Sequence, residues 1–89
     1  MSITQADQIK ETECMLRASA ISAGFAISGD GRVTEQDAAT LLSYSRSQLK
    51  ALRADGNGPP YYAVGMSGAR ISYRLQDLAS WLEMARSSV

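Results

Sequence analysis

Five basic side chains dominate the chemistry open to this sequence. Arg46, Lys50, Arg53, Arg70 and Arg74 lie in the stretch from Ser43 to Arg74, where Asp55 is the single acid. A window of net charge +4 is a natural place for a polyanion to bind. The residue types that are missing narrow the chemistry further. The 89 residues include no histidine, which removes His-based acid–base catalysis, Ser–His and Cys–His nucleophiles and most zinc sites. No carboxylate pair is clustered and no nucleophile has a neighbouring base. The residues therefore point away from an enzyme and toward a binding module that needs no cofactor and no metal.

The basic window is masked in the total. Nine Lys and Arg balance nine Asp and Glu, but residues 1–31 carry −2 and residues 32–89 carry +2. A chain of this length allows one domain, or one small domain with an arm, and its stability margin is thin. The 45% hydrophobic share is enough for a core. Cys14 is the single cysteine, so it has no internal disulfide partner and fits a reducing compartment. Met1 to Lys10 lacks the basic run and apolar core of a secretion signal, and no stretch approaches 18 apolar residues. The expectation is a cytoplasmic protein with no membrane partner.

The elements that must position the bases follow from punctuation and periodicity. Residues 4–23 contain no Gly or Pro and suit a helix, although Ile9, Met15, Leu16, Ala18 and Ile21 spread over more than one face. Gly24 can end it, and the short apolar run from Phe25 to Ser28 carries no assignment. Thr34 is a helix cap followed by acids in the first turn, and Ala38, Leu41 and Leu42 form an apolar stripe, which predicts a helix over 35 to about 42. Ser45 caps a second helix, from Arg46 to Ala54, with Leu49 and Leu52 facing inward. Gly56 and Gly58 stop it, and Pro59-Pro60 forbids its continuation. Tyr61–Val64 and Ala69–Tyr73 flank a four-residue loop and read as a β-hairpin, with Ile71 and Tyr73 on one face and Arg70, Ser72 and Arg74 on the other. Leu75, Leu78, Leu82 and Ala85 give a last helical stripe, with Ala79 and Trp81 on its flanks, and Ser87-Ser88-Val89 forms a loose end.

The fold class is thus mainly α with a small β-hairpin. Its order is helix, three-residue turn, helix, glycine stop, hairpin, helix, which is the pattern of a helix-turn-helix with a wing. On the second helix, spacing of about 100° per residue turns Ser47, Lys50, Ala51 and Ala54 away from Leu49 and Leu52 and puts Arg46 and Arg53 on one flank. A major groove about 12 Å wide admits such a helix. Arg46 is placed to fork onto guanine and Gln48 to reach adenine if it turns outward, while Lys50 and Arg53 suit base or phosphate contacts. Ser45, Ser47 and the free helix amides suit a phosphate.

Residues 33–84 resemble the MerR-like winged helix-turn-helix of phage excisionases and related small phage regulators. The resemblance runs through Val33-Thr34-Glu35-Gln36-Asp37-Ala38-Ala39-Thr40-Leu41-Leu42, Ser45-Arg46-Ser47-Gln48-Leu49 and Gly58-Pro59-Pro60-Tyr61-Tyr62-Ala63-Val64-Gly65. It ends with Arg70-Ile71-Ser72-Tyr73-Arg74, Asp77-Leu78 and Trp81-Leu82. It implies a winged helix-turn-helix over residues 32–86 behind an N-terminal helical arm, residues 1–31. It also implies binding to double-stranded DNA, with the second helix in the major groove and the wing on backbone or minor groove. Carried across by position, Arg46, Ser47, Gln48 and Lys50 become recognition-helix candidates, and Arg70 and Arg74 become wing candidates. The function implied is that of an excisionase-like recombination directionality factor, a transcriptional repressor, or both. With so few bases one copy would bind modestly, so a homodimer or a cooperative array on DNA is expected. The acidic N-terminal helix would dimerise, dock on the domain or engage a protein such as an integrase. The alternative reading is a protein-interaction adaptor on the same fold with little DNA affinity.

Two further motifs carry little. The run Asp30-Gly31-Arg32-Val33-Thr34-Glu35-Gln36-Asp37 resembles part of a calcium loop, but its first ligand position falls on Ala26. Gly56-Asn57-Gly58 lacks the Gly-Lys-Ser/Thr ending of a phosphate loop and reads as a helix stop. Trp81 reads as core, Tyr61, Tyr62 and Tyr73 as partly packed hairpin residues, and Cys14 as inert.

Overall fold

A computed structural model of the chain describes residues 4–86; the loose end expected at residues 87–89 lies outside them. Four α-helices and a three-stranded antiparallel sheet alternate along it. Helix α1 (Gln5–Ser22) starts at a capping box, in which the Thr4 side chain accepts the Asp7 N–H at 3.1 Å. It ends where the Phe25 N–H bonds back to the Ala20 carbonyl at 2.9 Å. The mixed apolar pattern of this helix resolves into a narrow stripe. Leu16 and Ala20 are buried and Ile9 is partly so, whereas Met15 and Ile21 stand in solvent. The stripe lies along the last helix of the chain, and Thr12 Oγ1 donates to Glu83 Oε2 at 3.0 Å across that contact.

A tight turn at Gly29–Gly31 leads into strand β1 (Arg32–Thr34), an element beyond those expected from the sequence. Three residues are too few to show alternation, and Val33 is the only one whose side chain is buried. Thr34 then caps helix α2 (Glu35–Leu41) by accepting the Asp37 N–H at 3.2 Å. The buried residues of α2 and its C-cap are Glu35, Ala38, Ala39 and Leu42, with Leu41 at the edge of the core. The turn that follows passes through Ser43 in the left-handed region (φ 63°) and lets the Tyr44 N–H reach the Ala39 carbonyl at 2.8 Å.

Helix α3 (Arg46–Asp55) is closed at both ends by local chemistry. Ser45 and Gln48 form a complete capping box at its start. Gly56 takes a left-handed conformation (φ 75°) at its end, where a Cβ would meet open space but the backbone angle would be strained. Leu49 is fully buried, and Leu52 packs at the rim of the core.

Strands β2 (Tyr62–Val64) and β3 (Arg70–Arg74) form the expected hairpin around a 3-10 turn at Met66–Gly68. The sheet order is β1-β3-β2, so β3 is central, with Val33 opposite Tyr73 and Tyr62 opposite Ser72. The hairpin expected from the sequence is therefore two-thirds of a sheet. Helix α4 (Leu75–Met84) follows β3 without a loop. Its buried residues are Leu75, Leu78 and Ala79; Leu82 is partly buried, and Ala85 lies beyond the helix in solvent, so the stripe is shorter than the spacing predicted.

One core joins these elements: Leu16 of α1, Val33 of β1, Ala38 and Ala39 of α2, Leu49 of α3, Tyr73 of β3, and Leu75 and Leu78 of α4. Each fully buried leucine contributes about 1.5–3 kcal/mol relative to exposure. Trp81 sits at the edge of this core, with its Nε1–H on the Asn57 carbonyl at 3.3 Å and its ring edge-on to Tyr44 at 6.3 Å. Among the described residues no helix is long and apolar enough to cross a membrane.

Candidate nucleic-acid interface

The exposed face of α3, the N-terminus of α2 and the strands β1 and β3 enclose an open groove of about 1170 Å³. Its basic walls are Arg46, Lys50 and Arg53 from α3, Arg70 from β3 and Arg32 from β1, with Glu35 as the only carboxylate among the described residues. The exposed Arg46, Lys50 and Arg70 share this lining with the partly buried Arg32 and Arg53 and with the apolar Ile27, Val64, Ala69 and Ile71.

The sequence-predicted residues divide into two groups. Arg46, Ser47, Lys50 and Arg70 are exposed and line the groove together, although Lys50 and Arg70 lie 20 positions apart in sequence. These four side chains enter no hydrogen bond or ion pair within the described residues. The other four are engaged by the protein itself. Ser45 Oγ accepts the Gln48 N–H at 3.1 Å, and Gln48 Oε1 accepts the Ser45 N–H at 2.8 Å. That pair holds the first turn of α3 in place and occupies one acceptor site of the Gln48 amide oxygen, while its two N–H donors make no hydrogen bond within the described residues.

Arg53 reaches the groove but is tied to Glu35, its Nε donating to Oε2 at 2.8 Å and its Nη2 to Oε1 at 3.3 Å. Tyr73 donates its hydroxyl to the same Oε2 at 2.8 Å. The Arg53 guanidinium also lies 5.5 Å from the Tyr61 ring centre. Burial pushes the Glu35 carboxyl up, but the hydrogen bonds from Arg53 and Tyr73 and the charges of Arg53 and Arg46 outweigh it, and the group stays below its ordinary value. The same bond to Glu35 raises Arg53. Burial, and then the bond to Glu35, raise the Tyr73 hydroxyl.

Arg74 is withdrawn from the groove. It pairs with Asp30 at 3.3 Å and lies over the Tyr62 ring at 5.1 Å, while Arg32 covers the same ring at 5.5 Å. Arg32 also donates from Nε to both Asp30 oxygens at 2.9 Å and from Nη1 to Ser72 Oγ at 2.9 Å. The hydroxyl of Ser28, and then Arg32, hold the Asp30 carboxyl well below the usual range. The loop 28–31 is thereby wired to the sheet, and the positive charge of β1 and the end of β3 is partly neutralised.

Two charged residues of the groove, Arg32 and Glu35, lie outside the sequence-predicted site. Arg32 stands on a strand of only three residues, whose one local signal is the β-branched pair Val33-Thr34 behind a Gly-Asp-Gly turn. The place of Glu35 in the first turn predicts an acid that serves the helix dipole; in the fold it is 5% exposed and organises both Arg53 and Tyr73.

No protein-family model, curated protein or solved structure matches the chain.

Proposed function

We propose that this protein is a small sequence-specific DNA-binding regulator built on a winged helix-turn-helix. Helix α3 would enter the major groove, and the β2–β3 hairpin would be the wing. The observation that carries the proposal is the convergence of Arg46, Ser47 and Lys50 of α3 with Arg70 of the hairpin in one open basic groove. Small or polar side chains at Ser47, Ala51 and Ala54 let the α3 backbone approach base edges, and all three are exposed. Ser47 and the free amides of the first turn supply phosphate donors. Arg53 acts from behind, as a strut whose charge is shared with Glu35. The resemblance of residues 33–84 to excisionase-type regulators supports the finer reading, in which occupation of adjacent DNA sites directs recombination, represses transcription, or both. No bond is made or broken in that role.

Selection from a random duplex library, followed by mobility-shift titration of the enriched site, tests the proposal. The expected result is sequence-selective binding that weakens with salt, by a slope of about −0.9 per phosphate neutralised. Arg46→Ala combined with Lys50→Ala abolishes it while the fold is retained. Absence of binding at low salt by the folded wild-type chain overturns the proposal in favour of a protein-interaction adaptor.

A further inference from the structure

The tip of the β2–β3 hairpin departs from the chemistry of the groove at its foot. It has no charge. Residues Gly65, Met66, Ser67, Gly68 and Ala69 contain one large side chain, Met66, and that side chain is 93% exposed, the highest value among the exposed large hydrophobic residues. Val64, just below it, is 40% exposed.

The tip is held in shape. The Gly68 N–H bonds to the Gly65 carbonyl at 3.1 Å, and Ser67 adopts a left-handed conformation at φ 62°. Gly65 has φ 87°, a left-handed backbone angle that favours glycine, and its α-carbon packs beside the Arg70 stem, where a Cβ would make an ordinary 3.5 Å contact with Cγ. The Met66 side chain is therefore presented outward on a braced apex and has no place in the core.

Position and shape name an occupant. Val64, Ala69 and Arg70 line the basic groove, so the apex continues the surface that Arg46 and Lys50 begin. A minor groove is about 6 Å wide, and it admits a tip only where the flanking residues lack bulk. Gly65, Ser67, Gly68 and Ala69 meet that condition. An uncharged apex gains little from phosphate. A flexible apolar side chain between such residues is instead the chemistry of a wedge, which partly unstacks a base step and bends the duplex.

We infer that Met66 is a wedge that enters the minor groove beside the α3 site and kinks the DNA. The inference rests on the DNA-binding reading above and adds a deformation that the reading does not require. It assigns Val64 to the apolar shoulder of the wedge and Arg70 to the phosphate wall beside it. Flexible pyrimidine–purine steps at that position would be favoured without any hydrogen bond to their bases.

The test uses the full chain and the duplex selected above, end-labelled for energy transfer and carrying 2-aminopurine at successive steps flanking the α3 site. The wild type is expected to bend the duplex by an angle on the order of 20–90° and to raise 2-aminopurine emission at one step. Met66→Ala and Met66→Arg abolish both signals, whereas Met66→Leu retains them. Met66→Arg holds its affinity through added charge, and Met66→Ala weakens binding by about three- to tenfold, which is about 0.7–1.4 kcal/mol. Circular dichroism should show all three variants folded, since the side chain has no core contact to lose. A straight duplex under the wild type, or a bend unchanged in Met66→Ala, overturns the wedge and leaves the DNA-binding reading standing. A Met66→Ala effect confined to cooperativity between copies overturns it as well, by assigning the tip to a protein contact. Absence of DNA binding by the wild type overturns both.

Discussion

Arg53 grips Glu35 through two hydrogen bonds, Nε to Oε2 at 2.8 Å and Nη2 to Oε1 at 3.3 Å, and so fastens α3 to the first turn of α2. Tyr73 completes the arrangement from the central strand with its hydroxyl on the same carboxylate, 2.8 Å away. One buried acid thus links α2, α3 and the central strand at the wall of the basic groove. The surrounding packing gives the carboxylate little contact with water, and three donors replace what solvent would supply.

Glu35→Gln keeps the shape of the side chain and removes its charge. It leaves Arg53 without a full ionic partner and weakens the bond from Tyr73. The expected cost is about 1–3 kcal/mol, which lowers the thermal midpoint by about 4–8 °C for each kcal/mol in a domain of this size. Tyr73→Phe should cost less, since Arg53 remains paired. Chemical denaturation of the two variants beside the wild type measures both, and equal losses would contradict the dominance of the ion pair.

Lys50→Ala and Arg53→Ala should separate binding from stability. Lys50 is exposed and unpaired among the described residues, so its loss should leave stability within about 0.5 kcal/mol and reduce the salt slope of DNA binding by about one. Arg53 braces the fold, so its loss should lower the unfolding midpoint as well as the affinity. Parallel denaturant melts and salt titrations resolve the two patterns.

Stability should fall at both ends of the pH scale. Glu35 and Asp30 are held below their ordinary carboxylate values in the folded chain, so they release protons there that the unfolded chain retains. Their contribution is present above the unfolded value, near pH 4.5 for Glu35, and is lost as pH falls from there through the lower folded value. Tyr73 is raised above its ordinary value of 10.0, so its contribution is full below that pH and declines as pH rises beyond it. Denaturation midpoints across pH check both flanks. Glu35→Gln should flatten the acid side, and Tyr73→Phe should flatten the alkaline side.

Leu16→Ala tests whether α1 is integral to the fold. Leu16 is 8% exposed and joins the common core against α4. Truncation should cost about 2–5 kcal/mol and shift one cooperative transition measured by Trp81 fluorescence. A change in helix content that leaves the Trp81 signal unmoved would show that α1 melts on its own.

Local chemistry made much of this protein legible from its residues. Thr34 and Ser45 marked the starts of α2 and α3 because a side-chain oxygen three residues before a free amide acts over one turn of chain. Gly56 and Pro59-Pro60 marked the end of α3 for equally local reasons, and the basic window placed the candidate site between residues 43 and 74. The tertiary structure alone decided which bases remain available. Arg53 and Glu35 are 18 positions apart, Tyr73 and Glu35 are 38, and Arg74 and Asp30 are 44. No propensity or periodicity reports a pairing across such a span. Strand β1 exists because β3 offers it an edge, and a three-residue strand has no stability outside that ladder. Spacing along a chain records forces that act within a turn or two. The division of the arginines between groove and scaffold depends on which carboxylates folding brings within about 3 Å of them, and that is set by packing.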